Sequence, residues 1–427
     1  MMILIPVFCA ICFLPSESYE QTEKIVEANE SSDREQGIKN SNFHVEKIVK
    51  SLHNSEILSN LVDLVPRSSA QSFSSQHQID DEPSPSHYLL NKGDGCSISN
   101  LNRTLRDIFS KPRNEKDEEY KNHVRQNIIG RFAYYSTQTH IQHFDARDSS
   151  DNLVKGVNLI GIMPGLNYNQ PLDSLLVIGA HYDTTALTPG VNDNGSGMAA
   201  LFETVRLLSP KAGELNNTLI FVAFDQEEKG CLGSMAFVNQ FLIPKELNRH
   251  GASFTGAFIM DMILNFDPTS RSQVLPSDMA RVLPEVSSYL RKNKYAGDFL
   301  GVITRRGHDT RLWDAYSRSW NKLALYPEHK LLLMDPAIPR VPTFFSNYRY
   351  RNFVRSDHAA FWNHKNANYS HNMPAVLLTD TGPYRGVSRA CYHEFCDDLT
   401  HITQKNLEFM KHAVDVLAET ILGLSAY

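Results

Sequence analysis

Three short patterns between residues 175 and 234 carry the side chains that could do chemistry. The apolar run Leu175-Leu-Val-Ile-Gly-Ala ends in His181-Tyr-Asp183, and Val191-Asn-Asp193-Asn-Gly195-Ser-Gly197 sets one carboxylate among small residues. A second apolar run, Leu219 to Phe224, ends in Asp225-Gln-Glu227-Glu228-Lys-Gly230. Imidazole and carboxylate are the ligands of a divalent metal of the zinc type, and two such ions side by side need a carboxylate that bridges them. Asp193 suits the bridge, because its glycine neighbours let the backbone approach closely. Asp183, two residues past His181 on an extended segment, points to the same side and is placed to hold the second imidazole nitrogen. The adjacent glutamates divide two jobs: one binds metal while the other accepts and returns a proton beside it.

Two further ligands lie downstream. Asp261 follows the apolar run Ala257 to Met260, and His393 stands in Tyr392-His393-Glu-Phe-Cys396-Asp397-Asp398, after another apolar run at 375–379. Cys391 and Cys396 bracket His393, and in a secreted protein they could close a small disulfide loop around it or remain unpaired thiols. Ser356-Asp357-His358 also looks site-like, with substrate contact and a structural hydrogen bond both open.

The elements that position these residues follow from periodicity. Apolar residues at helical spacing suggest helices around 105–109 and 124–132, then from Gly195 to Leu208, from Ser234 to Phe241, and along the C-terminal stretch of Leu407, Met410, Val414, Leu417 and Ile421. Short apolar runs at 157–163, 175–180, 219–224, 257–260 and 375–379 read as strands, several without polar alternation, as when both faces are covered. Strand and helix alternate. The expected fold is therefore α/β, a mixed and mostly parallel sheet with helices on both faces, whose sites form beyond the carboxyl ends of the strands. Residues 265–350, rich in Pro, Arg, Tyr and Asn, read as a lid or insertion with helical pieces at 279–292 and 314–323.

Composition narrows the function. At 427 residues and a formal net charge of −6, the chain has no basic footprint for a nucleic acid. Residues 3–14 form an apolar run too short to span a bilayer, which fits a secretory signal peptide ending near Ser18. Residues 19–95, rich in Ser, Glu, Gln and Asp, are expected to be mostly disordered and are a possible propeptide, apart from a short amphipathic helix over 43–65. The catalytic domain would then cover 96–427. Sequons at Asn29, Asn102, Asn216 and Asn368 are compatible with a secreted glycoprotein. The sequon at Asn194 is expected to stay unmodified, because a glycan there would block the site.

Taken together, His181-x-Asp183, the Asn192-to-Gly197 turn, Asp225-x-Glu227-Glu228-x-Gly230-x-x-Gly233-Ser234, Asp261-Met262, Ser356-Asp357-His358 and Tyr392-His393 resemble the M28 family of co-catalytic zinc metallopeptidases, in order over about residues 100–427. The resemblance implies two Zn2+ per chain, one held by His181 and Asp261, the other by Glu228 and His393, with Asp193 bridging. Glu227 would be the general base and Asp183 the partner of His181. It implies an aminopeptidase that hydrolyses peptides through a metal-activated water, and the N-terminal apolar run makes it a secreted one. The rival readings are carboxypeptidase or glutaminyl-cyclase activity on the same fold, or a binding homologue without turnover. Some relatives place a Tyr three residues before the Ser of Ser-Asp-His; here that position is Phe353, so the oxyanion-stabilising group is unassigned.

Overall fold

The computed structural model describes residues 95–427 apart from Thr137, Lys365, Ala367 and Tyr427. The expected signal peptide, the polar N-terminal segment and its helix at 43–65 lie outside the described residues, and residues 95–427 form one unit. Two helices come first. α1 (Ile98–Asp107) starts at Ser97, whose hydroxyl accepts the Asn100 N–H, and α2 (Glu118–Tyr135) starts at Asp117, whose carboxylate accepts the Tyr120 N–H. Each cap satisfies a backbone donor that a first helical turn leaves open.

The sheet has eight strands: β1 (Gln138–Arg147), β2 (Leu153–Met163), β3 (Ser174–His181), β4 (Asn217–Phe224), β5 (Ser253–Met260), β6 (Phe299–Ile303), β7 (Lys330–Met334) and β8 (Ala375–Thr379). Their spatial order is β1-β2-β4-β3-β5-β8-β6-β7. β4, β3, β5 and β8 run parallel side by side, and β1, β2 and the β6–β8 pairing supply the antiparallel part. The four parallel strands therefore end along one edge, where sites of open α/β sheets form.

The remaining helices are α3 (Gly197–Leu208), α4 (Leu232–Ala236, with the chain coiling on to Asn248), α5 (Ser277–Val282), α6 (Pro284–Lys292), α7 (Thr310–Leu323), α8 (Phe344–Arg349), α9 (His358–Trp362), α10 (Ser388–Cys391) and α11 (Gln404–Ser425). They cover both faces. Leu176, Ile178 and Ala180 of β3 pack with residues of α1, α3, α7 and α11, while Leu175 and Val177 pack with Phe237, Leu290 and Phe361. Alternate residues of one strand thus enter opposite layers, which is why these strands read as continuous apolar runs. No helix among the described residues is long and apolar enough to cross a membrane.

Residues 265–350, expected as a lid or insertion with helical pieces, also carry part of the sheet. Their segments 299–303 and 330–334 are sheet strands, with β6 antiparallel to β8 and β7 parallel to β6. Short apolar runs in a Pro- and Arg-rich stretch, with no clear alternation of strand and helix around them, leave no pattern to read. The helix expected over 279–292 is broken at Leu283, because Pro284 disfavours helical backbone in the residue before it. β1 was not anticipated either; its polar, half-exposed face hides the alternation.

Candidate metal centre

Each expected ligand leaves the carboxyl end of a central strand or the loops just beyond it. His181 is the last residue of β3, Glu227 and Glu228 lie on the turn after β4, and Asp261 follows β5. Asp193 lies on the turn leading into α3, and His393 on the loop after α10. A tight turn holds Asp193 in place. Gly190 sits at φ +63°, and a Cβ there would collide with the Asp193 carbonyl, so only glycine fits.

The residues around Asp193 stitch its turn to the chain after β5. Asn194 donates to the Met260 carbonyl (2.8 Å) and accepts the Met262 N–H (3.2 Å). Ser196 accepts the Ile263 N–H (3.0 Å) and Asn192 the Leu264 N–H (3.1 Å). Asn194 is completely buried, which leaves no room for a glycan on its sequon.

Two groups of ligand atoms result: His181, Glu227 and Asp261, and Asp193, Glu228 and His393. Asp193 reaches both histidines, with Oδ1 3.4 Å from His181 Nε2 and Oδ2 3.3 Å from His393 Nε2. His181 Nε2 also lies 3.6 Å from Asp261 and 3.9 Å from Glu227, and His393 Nε2 lies 3.0 Å from Glu228. Asp183 works behind the group. Its carbonyl and carboxylate lie 3.2 and 3.5 Å from His181 Nδ1, and its carboxylate accepts the N–H groups of Glu227 (3.1 Å) and Glu228 (3.2 Å). One side chain thus orients the imidazole and fixes the glutamate turn.

The electrostatics show a crowded acidic site. Burial raises Glu227 well above the usual carboxylate range, with Glu228, Asp357 and Asp261 adding to the rise against the pull of His181. Burial and Asp193 push Glu228 up to about 7. Burial opposes charge on His393, yet the neighbouring carboxylates of Asp193 and Glu228 outweigh it and lift the ring to about 10. Burial likewise opposes ionised Asp193, but contacts with both histidines hold its carboxyl below the ordinary value. Buried Nε2 atoms of His181 and His393 and Oε1 of Glu228 make no hydrogen bond. Orphaned lone-pair atoms of this kind, converging with the carboxylates around them, fit divalent cations, which would take the place of protons on these groups.

All seven expected site residues come together here. His358 does not join them: its Nε2 faces the Phe353 carbonyl at 2.9 Å and its ring abuts Trp362. Asp357, buried beside the His181 side, is pushed up to about 7 by burial. Cys391 and Cys396 form a disulfide around the His393 loop. Cys231, buried, lies 3.5 Å from Glu227 Oε1.

Sequence reasoning missed three supports. Asp225, fully buried, meets Lys121 (2.6 Å) and Arg125 (2.9 Å) of α2 and anchors the start of the glutamate turn. Arg113, also fully buried, donates to the carbonyls of Phe109, Lys111, Tyr182, Pro189 and Gly190. Asp397 binds the Asp193 turn. In sequence these are ordinary charges; only Lys121, in register with Val124, Ile128 and Phe132 on the buried stripe of α2, left a signal.

Residues 158–299 match the model of peptidase family M28. Aminopeptidase YwaD of Bacillus subtilis is 38% identical over 106 residues, 25% of this chain and 21% of that protein. Leupeptin-inactivating enzyme 1 of Streptomyces exfoliatus is 34% identical over 113 residues, 26% of this chain and 24% of that protein. The match therefore spans under a quarter of the length of either relative. The zinc aminopeptidase BSAP from Bacillus subtilis superposes with a TM-score of 0.52 at 14% identity, over 77% of this chain and 95% of the other. That likeness shows the fold.

Proposed function

We propose that the chain, whose residues 158–299 match the model of peptidase family M28, is a secreted di-zinc exopeptidase of the aminopeptidase kind. The observation that carries this reading is Asp193, whose two oxygens face the unpartnered Nε2 atoms of His181 and His393 at 3.4 and 3.3 Å. His181 and Asp261 would hold one ion, Glu228 and His393 the other, and Asp193 both. Zinc bound there supplies a Lewis acid for the scissile carbonyl, water of lowered pKa and a ligand for the substrate's free amine.

The protein's own groups do the rest. Glu227, whose turn is fixed by Asp183, accepts the proton of the attacking water and returns it to the leaving amine. Asp183 keeps the His181 ring in the orientation that presents Nε2 to the site. Trimming from the amino end is favoured because relatives such as YwaD are named aminopeptidases. Export is supported by the apolar run at 3–14 and by the Cys391–Cys396 disulfide; N-terminal sequencing of secreted protein tests it, and a start at Met1 would contradict it.

The test is a panel of aminoacyl and N-blocked peptides, with N-terminal glutamine cyclisation assayed alongside, on wild type and Glu227→Ala. Wild type should release N-terminal residues. The variant should lose ~10²–10⁴-fold in rate while keeping its zinc, the range for a general base. Release of C-terminal residues or cyclisation instead would replace the aminopeptidase reading, and an unchanged rate in the variant would remove Glu227 from the mechanism.

A further inference from the structure

Three consecutive amides of the turn that carries Asp193 converge on one residue of the loop that carries His393. The Val191 N–H donates to the Asp397 backbone carbonyl (3.1 Å), the Asn192 N–H to Asp397 Oδ1 (2.9 Å) and the Asp193 N–H to Asp397 Oδ2 (2.9 Å). Asp397 is 1% exposed, and its own N–H returns to the Glu394 carbonyl within the disulfide loop. His401 Nδ1 stands 3.9 Å from Oδ1. The turn and the loop are more than 190 residues apart in sequence, as the Asp193–Asp397 separation of 204 shows. Beyond this clamp, the turn meets the His393 segment through Asn192 Nδ2 to Ser388 Oγ (3.5 Å) and through the Asp193–His393 contact itself.

We propose that Asp397 is a positioning residue of the metal centre, which holds the Asp193 turn and the His393 loop in register so that the ion between Asp193, Glu228 and His393 can bind. This rests on the two-ion reading given above. A carboxylate is required because two N–H donors need two acceptor oxygens, and charge makes both bonds stronger. An amide offers one acceptor and turns its NH2 toward the second donor. Groups that orient ligands from behind typically change metal affinity ~10–100-fold when replaced.

The experiment is a zinc titration of metal-free wild type and Asp397→Asn, with the electronic spectrum of the Co2+-loaded proteins and thermal unfolding in parallel. Wild type should take two ions. Asp397→Asn should bind the first as tightly as wild type and the second ~10–100-fold more weakly, with a changed Co2+ spectrum only at the second equivalent. Equal weakening of both ions, or two ions bound as in wild type, overturns the proposal while leaving the proposed function standing. A wild type that binds fewer than two ions overturns both. Asp397→Glu, which keeps the charge and shifts it along the side chain, is read in the same way if Asp397→Asn does not fold. Failure of both to fold would make the residue a folding element and overturn the proposal.

Discussion

The two halves of the centre use the same ligand chemistry on different mechanical supports. His181 is the last residue of a central strand and its side chain is 1% exposed, whereas the His393 side chain is 35% exposed, on a loop with left-handed backbone (φ +61°). The first is held by sheet hydrogen bonds on both sides, by Asp183, and by the stitching of the 192–196 turn to the chain after β5. The second relies on cross-links: a disulfide between Cys391 and Cys396 and the Asp397 clamp. A ligand at a strand end inherits its position from the fold, and a ligand on a loop needs its position built separately.

Replacing each histidine in turn breaks the comparison most severely. His181→Ala leaves Asp183, Asp193, Asp261 and Glu227 facing one another without their buried imidazole. It should remove its ion and destabilise the metal-free protein by ~3–5 kcal/mol, the range for an uncompensated buried charge. His393→Ala should remove the other ion and destabilise the metal-free protein by less than His181→Ala, since that ring is partly in solvent. Calorimetry and metal analysis on both variants check this. Equal destabilisation would mean that the loop is as much part of the framework as the strand.

A smaller effect sharpens the contrast from outside the centre. His329 and His412 face each other (Nδ1 to Nδ1, 3.3 Å) among Phe266, Trp320, Tyr326 and Phe409, with Glu328, Glu408, Lys330 and Lys411 the nearest charged groups. Burial lowers them to about 4 and about 3. Their folded values lie below the ordinary 6.5, so the unfolded chain binds more protons between. Stability they contribute is full above about pH 6.5 and is lost as pH falls toward 4. Denaturant unfolding at pH 7 and pH 5 should show this loss, and His412→Phe should flatten it. A slope unaffected by that change would place the acid sensitivity in the metal centre instead.

Legibility in the sequence followed the same division. His181, Glu227, Glu228 and Asp261 could be read because buried parallel strands are apolar runs, and a polar residue at the end of such a run stands out. Asp193 could be read because its turn needs glycines. His393 does not end a strand; it was read as the second histidine that a metal pair requires, on a loop after the run at 375–379 bracketed by two cysteines, and only which ion it would hold came with the family resemblance. The supports were illegible for a different reason. Arg113, Lys121, Arg125, Asp225 and Asp397 are charged residues whose burial is decided by partners about 70 to 205 residues away, and apart from Lys121, in register with the apolar stripe of α2, nothing local distinguishes them from solvated charge. β6 and its edge neighbour β7 were missed because their short apolar runs stand in a stretch of mixed, Pro- and Arg-rich composition with no clear alternation of strand and helix around them.

The account stands most directly on Asp193 serving two ions at once, and titration of the metal-free wild-type protein with zinc tests it. The proposed function calls for two ions per chain, taken up in two steps. The tighter should belong to the His181 side and be the only one left after His393→Ala, and the weaker should be lost first to a chelator. A single ion per chain, or a single step unaltered by His393→Ala, would contradict the shared carboxylate.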